Sequence, residues 1–251
     1  MLEPVGRFQR IDWVASTGST NADLVAEVRA GLREPVVRFT DLQTAGRGRR
    51  DREWDMVPGG GLLVSFFVPW NDAASAHRIP AALGVAAVDA VAAHGRTVGL
   101  KWPNDLITID ARKVAGMLGE VVAGDGGIVG VVVGIGCNVS WRPPDTDGRS
   151  AAMLDELGAE PIDRHALGHE LCQRFDAELS ALTTNGPGAL ADRVRARSYT
   201  IGTDVRVEQT DRVLSGRATD IDEDGRLLLD VDGWQHRIEV GDVVHARPEA
   251  P

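Results

Sequence analysis

Two cysteines, Cys137 and Cys172, are all that the 251-residue chain contains. They stand apart without Cys-x-x-Cys spacing, so neither a disulfide framework nor a thiolate zinc site is indicated. A reducing cytoplasm is the compartment that fits. Long apolar runs are missing as well: a bilayer-spanning helix needs about 20 consecutive apolar residues, and Met1 to Ile11 has no apolar core of a secretory signal. Basic charge is in deficit, with 27 Lys and Arg against 37 Asp and Glu and a formal charge of -10. A duplex binder neutralises phosphates with excess Lys and Arg. DNA is therefore disfavoured as the main partner, and so is an anionic membrane surface. Two catalytic signatures are also absent, the Gly-Lys-Ser/Thr of a P-loop and the Gly-x-Ser-x-Gly elbow. Gly46-x-Gly48 lacks the third glycine of a dinucleotide loop, because Asp51 stands there.

What is present is ordinary in bulk: 43% apolar and 25% charged residues, as in a soluble globular protein. Residues up to Val14 read as a short strand. Leu24, Val25, Val28 and Leu32 recur at helical spacing behind Ser19-Thr20-Asn21, which predicts a capped helix from about Asn21 to Ala30. Val36 to Leu42 and Gly61 to Val68 read as strands, and Ser75 to Ala93 as a helix. A β-rich stretch follows (Val98 to Trp102, Leu106 to Ile109, Val114 to Val122, Ile128 to Val139), with a hairpin turn at Asp110-Ala111. Helices are expected over Ala151 to Leu157, Asp163 to Leu182 and Pro187 to Ser198. From Ile201 the pattern changes to short strands and turns around Val205-x-Val207, Leu227-x-Leu229 and Val243-Val244. Strands in succession between helices, without βαβ alternation, predict an α+β domain over 1–199 with a mixed sheet flanked by helices, and a small β domain over 200–251.

Four segments carry chemistry. In the first, Gln43 to Trp54, glycines permit close backbone approach to a phosphate. Arg47, Arg49, Arg50 and Arg52 supply planar donors for phosphate or carboxylate oxygens, and Trp54 offers a face to a purine. A solvated basic loop is the plain alternative. In the second, Lys101-Trp102-Pro103-Asn104-Asp105-Leu106, two oxygen-bearing side chains sit at a strand boundary. They suit magnesium or an ordinary turn. The third, Arg112 to Glu120, begins an apolar strand with Lys113, either a solvated strand end or a charge held beside a phosphate. In the fourth, Val133 to Val139, Gly134 and Gly136 flank Ile135, so a ligand or a helix can pack on one face. His165 and His169 lack a third ligand and read as a polar helix face.

Together and in this order, Ser19-Thr20-Asn21, Gln43 with Gly46-Arg47-Gly48-Arg49-Arg50, Lys101 to Leu106, Lys113 to Gly116 and Gly134 to Asn138 resemble the biotin–protein ligases (biotin–[acetyl-CoA-carboxylase] ligases). The resemblance covers nearly the whole chain. It implies a class II synthetase-like catalytic domain closed by an SH3-like C-terminal domain. It also implies an AMP-forming reaction with ATP and magnesium (Mg2+), in which biotin is activated as biotinyl-5'-AMP. Transfer is then to a lysine of a biotin carboxyl carrier domain of an acyl-CoA or pyruvate carboxylase. Under this resemblance Arg47, Arg49 and Lys113 are catalytic. Biotin falls to Ser19, Thr20, Asn21, Gln43, Gly46, Arg47, Gly48, Arg49, Lys113 and Gly116. The nucleotide falls to Arg49, Trp54, Lys101, Asn104 and Asn138, and the metal to Asp105.

Two departures from the family pattern stand out. Asp51 replaces a glycine frequent there, and is expected to face solvent and pair with Arg50 or Arg52. Ser19 lies so near the N-terminus that the DNA-binding domain of some family members is not expected, and the catalytic-only form is the expectation. A homodimer is compatible with the family and undecided by the sequence. The rival readings are a lipoate-type protein ligase, which shares the fold and the adenylation logic, and a catalytically impaired biotin-binding module, suggested by Asp51 alone.

Overall fold

The computed structural model describes residues 3–50, 52–124, 126–145, 150–239 and 241–245. Seven strands form the larger sheet: β1 (Arg10–Val14), β2 (Val36–Thr40), β3 (Gly61–Pro69), β4 (Gly99–Lys101), β5 (Asp105–Ile107), β6 (Lys113–Gly124) and β7 (Gly127–Asn138). Their order is β1-β2-β3-β7-β6-β5-β4. The sheet is mixed because β1 and β2 run parallel and the other neighbours antiparallel.

Period-two alternation decides which face holds the core and which the ligand site. On β7, Val131, Val133, Ile135 and Cys137 enter the main core, as do Leu62, Val64, Phe66 and Val68 on β3 and Ala115 and Met117 on β6. That face is covered by α2 (Arg78–Ala93) and α3 (Arg164–Arg197). The opposite face carries Ser65, Gly116, Leu118, Glu120, Gly134, Gly136 and Asn138. Among the described helices α1 (Thr20–Arg29) covers part of it, packing Leu24 and Val28 on Phe67, Val122 and Val132, and Trp54 covers Gly116 and Gly136. The remainder is open to ligands.

Helix boundaries follow local chemistry. Ser19 caps α1 by accepting from Ala22 N at 3.5 Å. Pro80 is tolerated in the first turn of α2, where backbone N–H groups lack helical partners in any case. Gly186 (φ 77) ahead of Pro187 breaks α3 into the two helical pieces expected from the sequence. One expectation fails. Ala151 to Leu157 is not an α-helix but a 3-10 turn over Leu154–Leu157. Ala151 bridges Lys113, and Ala152 N donates to Lys113 O at 2.8 Å, so a non-local strand contact takes the residues that local propensity gave to a helix. The Asp110-Ala111 hairpin forms as expected, with Ala111 at φ 63.

The C-terminal unit is a five-stranded antiparallel sheet of β8 (Asp204–Glu208), β9 (Val213–Ile221), β10 (Leu227–Val231), β11 (Trp234–Ile238) and β12 (Asp242–His245), in the order β11-β10-β9-β8-β12. Its core of Val205, Val207, Ala218, Leu227, Leu229 and Ile238 is completed by Trp102 from the larger unit, 7% exposed. The indole Nε1 donates to Gly225 O at 2.9 Å, and Trp102 N donates to Thr200 Oγ1 at 3.0 Å. Trp102→Ala is therefore expected to remove about 3–5 kcal/mol of stability, with β8–β12 melting first. Hydrogen exchange resolved over Asp204 to His245 reads this directly, and uniform protection loss across both sheets would contradict it.

Candidate active site

The open face of the larger sheet forms the floor of a cleft of about 1440 Å³, walled by the Arg47 to Asp55 segment, the start of α1 and the β8–β12 side of the C-terminal unit. One end is a polar slot. Thr17 bridges Gln43 in parallel, with Thr17 N donating to Leu42 O at 3.0 Å, and this seats Gln43 beside the N-terminus of α1. Thr20 N donates to Gln43 Oε1 at 2.9 Å, Ser65 Oγ donates to Asn21 Oδ1 at 2.6 Å, and the Thr20 and Ser65 hydroxyls lie 2.7 Å apart. Ser19, Thr20 and Asn21 are each 5% exposed or less. Three polar side chains buried on a helix start, next to a sheet face stripped of side chains, make a slot for a small ligand with a polar head.

The arginine segment is a hairpin rather than an irregular loop. Arg47 bridges Glu53, Gly48 N donates to Arg52 O at 2.7 Å, and Trp54 N donates to Gly46 O at 3.0 Å. Its turn includes Arg50 at φ 54; Asp51 lies outside the described residues. The hairpin lays Trp54 on the sheet where Gly116 and Gly136 are register partners. A Cβ on Gly136 would lie 2.5 Å from the indole Cε2 and Nε1, and one on Gly116 would lie 3.2 Å from Cζ3. The pair of glycines is thus the seat of the indole ring. Trp54 Nε1 is buried against Gly136 with no hydrogen-bond partner among the described residues.

Beside the indole stands Lys113. Its Nζ is 2.7 Å from Asp105 Oδ1 and 5.4 Å from the centroid of the Trp54 ring. The Asp105 contact is an ion pair without hydrogen-bond geometry. Arg47 Nη2 donates to Glu120 Oε1 at 2.7 Å. Arg49 Nη1 donates to Asn104 Oδ1 at 3.2 Å, and Asn104 Nδ2 to Met117 O at 2.7 Å. Burial first, then the neighbouring Arg50 charge, lower the Arg49 guanidinium pKa, with Asp105 opposing. A cation held at a desolvation cost gains from an anion placed beside it.

The expected site residues other than Gly46 therefore line one cleft, including Lys101 in the wall, while Gly46 is engaged in the hairpin through Trp54 N. Asn138 lies at its margin: its amide donates to Ala152 O at 2.9 Å and Lys113 O at 3.4 Å, leaving Oδ1 buried and unpaired among the described residues. Three further residues were given no role by sequence reasoning. Ser65 and Glu120 are polar positions in otherwise apolar strands, a signal that was available. Asp242 gave none, being 190 residues from Arg52 in the chain, yet its carboxylate gathers Arg49, Arg50 and Arg52 against β12. Among the described residues Arg50 and Arg52 thus have Asp242 as a partner, while the pairing expected of Asp51 lies outside them.

Comparison with known proteins decides the family. The family model described as the biotin/lipoate A/B protein ligase family matches residues 13–138, and that of the biotin protein ligase C terminal domain matches residues 200–246. A biotin–[acetyl-CoA-carboxylase] ligase of Mycobacterium tuberculosis is 38% identical over 248 residues, which is 96% of this chain and 90% of that protein. The chain belongs to the biotin protein ligase family. The ligase is also 30% identical to the bifunctional ligase/repressor BirA of Bacillus subtilis, over 92% of this chain and 72% of that one. Its fold matches the biotin protein ligase from Aquifex aeolicus in complex with biotin and ATP, with a TM-score of 0.81 at 24% identity, over 96% of this chain and 100% of that one. The mixed sheet flanked by helices and the C-terminal antiparallel β unit are the architecture of this family. No helix among the described residues is long and apolar enough to cross a membrane.

Proposed function

We propose that the ligase condenses biotin with ATP to biotinyl-5'-AMP and pyrophosphate, then passes the biotinyl group to a lysine of a biotin carboxyl carrier domain of an acyl-CoA or pyruvate carboxylase. The observation that carries this reading is that one cleft holds the slot of Thr20, Asn21 and Gln43, the indole of Trp54 and, beside that indole, Lys113. In the first step a carboxylate oxygen of biotin bonds to the α-phosphorus as the bond to the pyrophosphate oxygen breaks. Two anions must meet, so neutralisation and alignment are the main catalytic work. Lys113 stands at the meeting point, Arg47 and Arg49 flank it, and Trp54 offers its outer face to adenine. In the second step the acceptor amine attacks the acyl carbon, AMP leaves with the bonding pair, and the amine proton passes to solvent. The arginine hairpin shields the mixed anhydride from water until then.

Biotin is favoured over lipoate because a ureido group can engage the aimed donors and acceptors of the slot, whereas a dithiolane leaves them unpaired. Among the described residues no cluster of three or more His, Cys, Asp or Glu side chains is placed to hold a metal. The single carboxylate of Asp105, in the cleft wall and already facing one cation, fits a magnesium ion that arrives on ATP phosphates and takes one protein ligand. Magnesium supplies further charge neutralisation when bound. We assign catalysis to residues 1–199, the closing β unit to 200–251, and the cytoplasm as the site of action.

The test is to incubate the purified protein with ATP, magnesium and a biotin carboxyl carrier domain, with biotin or lipoate, and to read the acceptor's mass. Biotinylation alone is the expected result. Lipoylation would move the assignment to a lipoate-type ligase. Biotin binding without modification of the acceptor would leave the impaired binding module and direct attention to Asp51.

A further inference from the structure

Glu120, on the open face of β6, meets two residues of the slot through one oxygen. Asn21 Nδ2 donates to Glu120 Oε1 at 3.0 Å, and Arg47 Nη2 donates to the same atom at 2.7 Å. A carboxylate accepts and cannot donate, so this contact, together with the Leu118 carbonyl, sets which way the Asn21 amide points. The Asn21 amide is committed to Glu120 and to Leu118 O, 3.1 Å away, which turns Asn21 Oδ1 toward Ser65. Ser65 donates there at 2.6 Å and has no second proton to give. The Thr20 hydroxyl then has one proton to share between the Ser65 oxygen, 2.7 Å away, and Gln43 Oε1, 3.0 Å away. Gln43 Oε1 is held by the Thr20 backbone N–H at 2.9 Å, which leaves the Gln43 Nε2 group as a donor in the cleft.

We infer that Glu120 is a positioning residue that holds the Asn21 amide in one orientation in the biotin slot and ties Arg47 to it. The inference rests on the biotin reading above and deepens it. A ureido group presents a carbonyl acceptor and two N–H donors in fixed directions, so a slot whose amides can flip recognises it less well than one locked in a single arrangement. Glu120 reinforces that lock beside the Leu118 carbonyl and is the one of the two that a side-chain substitution can remove. Its side chain is 28% exposed, so it is partly withdrawn from competing water.

The experiment compares Glu120→Met, which removes the acceptor at similar volume, with Glu120→Gln, which keeps an acceptor oxygen and removes the charge. Biotin affinity is measured by calorimetry, ATP KM by steady-state kinetics and folding by thermal melting. Glu120→Met is expected to weaken biotin roughly tenfold to a hundredfold, with ATP KM changed far less and melting retained. Glu120→Gln is expected to recover a substantial part of the affinity. A purely structural residue would lower melting in both variants, move both substrates alike and gain nothing from glutamine, and that pattern overturns the inference. Wild-type affinity in Glu120→Met overturns it as well. A wild-type protein that binds no biotin removes the ligase reading and this inference with it, an outcome distinct from binding that the variants leave unchanged.

Discussion

Lys113→Ala is expected to slow biotin-dependent adenylation by about 10²–10³-fold while the protein stays folded. Lys113 is 38% exposed on its side chain and completes no core, so its removal leaves the sheet intact. The loss is electrostatic in two ways. A cation disappears from the point where carboxylate and α-phosphate approach, and Asp105 keeps its negative charge without the partner now 2.7 Å away. Lys113→Arg is not expected to restore the rate, because a planar fork cannot occupy the narrow position of the ammonium group between Asp105 and the Trp54 ring. A Cβ on Gly116 would already come within 2.9 Å of Nζ. Single-turnover formation of the adenylate, with melting as control, checks this; a rate within fivefold of wild type would remove Lys113 from the centre of the account.

Gly136→Val is expected to raise the KM for ATP more than tenfold, a change worth ~1.4 kcal/mol or more. The Cβ position of Gly136 is 2.5 Å from Cε2 and Nε1 of Trp54, closer than non-bonded carbon atoms approach. The indole must lift from the sheet and give up the surface it presents to adenine. The core is spared, because Ile135 and Cys137 point into it while Gly136 faces the cleft. The cost to folding is therefore that of local crowding, about 1–3 kcal/mol. If displacement of Trp54 is the cause, Trp54→Ala in the Gly136→Val background adds little further loss, since both changes remove the same contact. An unchanged KM, or full additivity of the two losses, would separate Gly136 from nucleotide binding.

Much of this architecture was readable from alternation. Val131, Val133, Ile135 and Cys137 against Gly134, Gly136 and Asn138 already divide β7 into a core face and a bare face, and the structure keeps that division. Gly186-Pro187 likewise marked the break in α3. Non-local contacts were not readable. Ala151 left its expected helix because a strand start 38 residues earlier, at Lys113, bridges it. The hairpin form of the arginine segment depends on backbone bonds between glycines and arginines that carry no periodic signal. Trp102 read as one letter of a motif; its burial in the C-terminal core became visible only once that unit was folded against it. Asp242 is the extreme case, a single acidic residue whose meaning depends on three arginines far away in the chain. Ser65 and Glu120 differ from these. Each is a polar residue on the bare face of an apolar strand, and the same period-two argument that picked out the glycines also picks them out.

The most direct test of the central claim is exchange of labelled pyrophosphate into ATP, because it reports the first chemical step without an acceptor protein. The account predicts exchange that depends on biotin, is not supported by lipoate, and is lost in Lys113→Ala. Exchange driven equally by lipoate, or undiminished without Lys113, would contradict it.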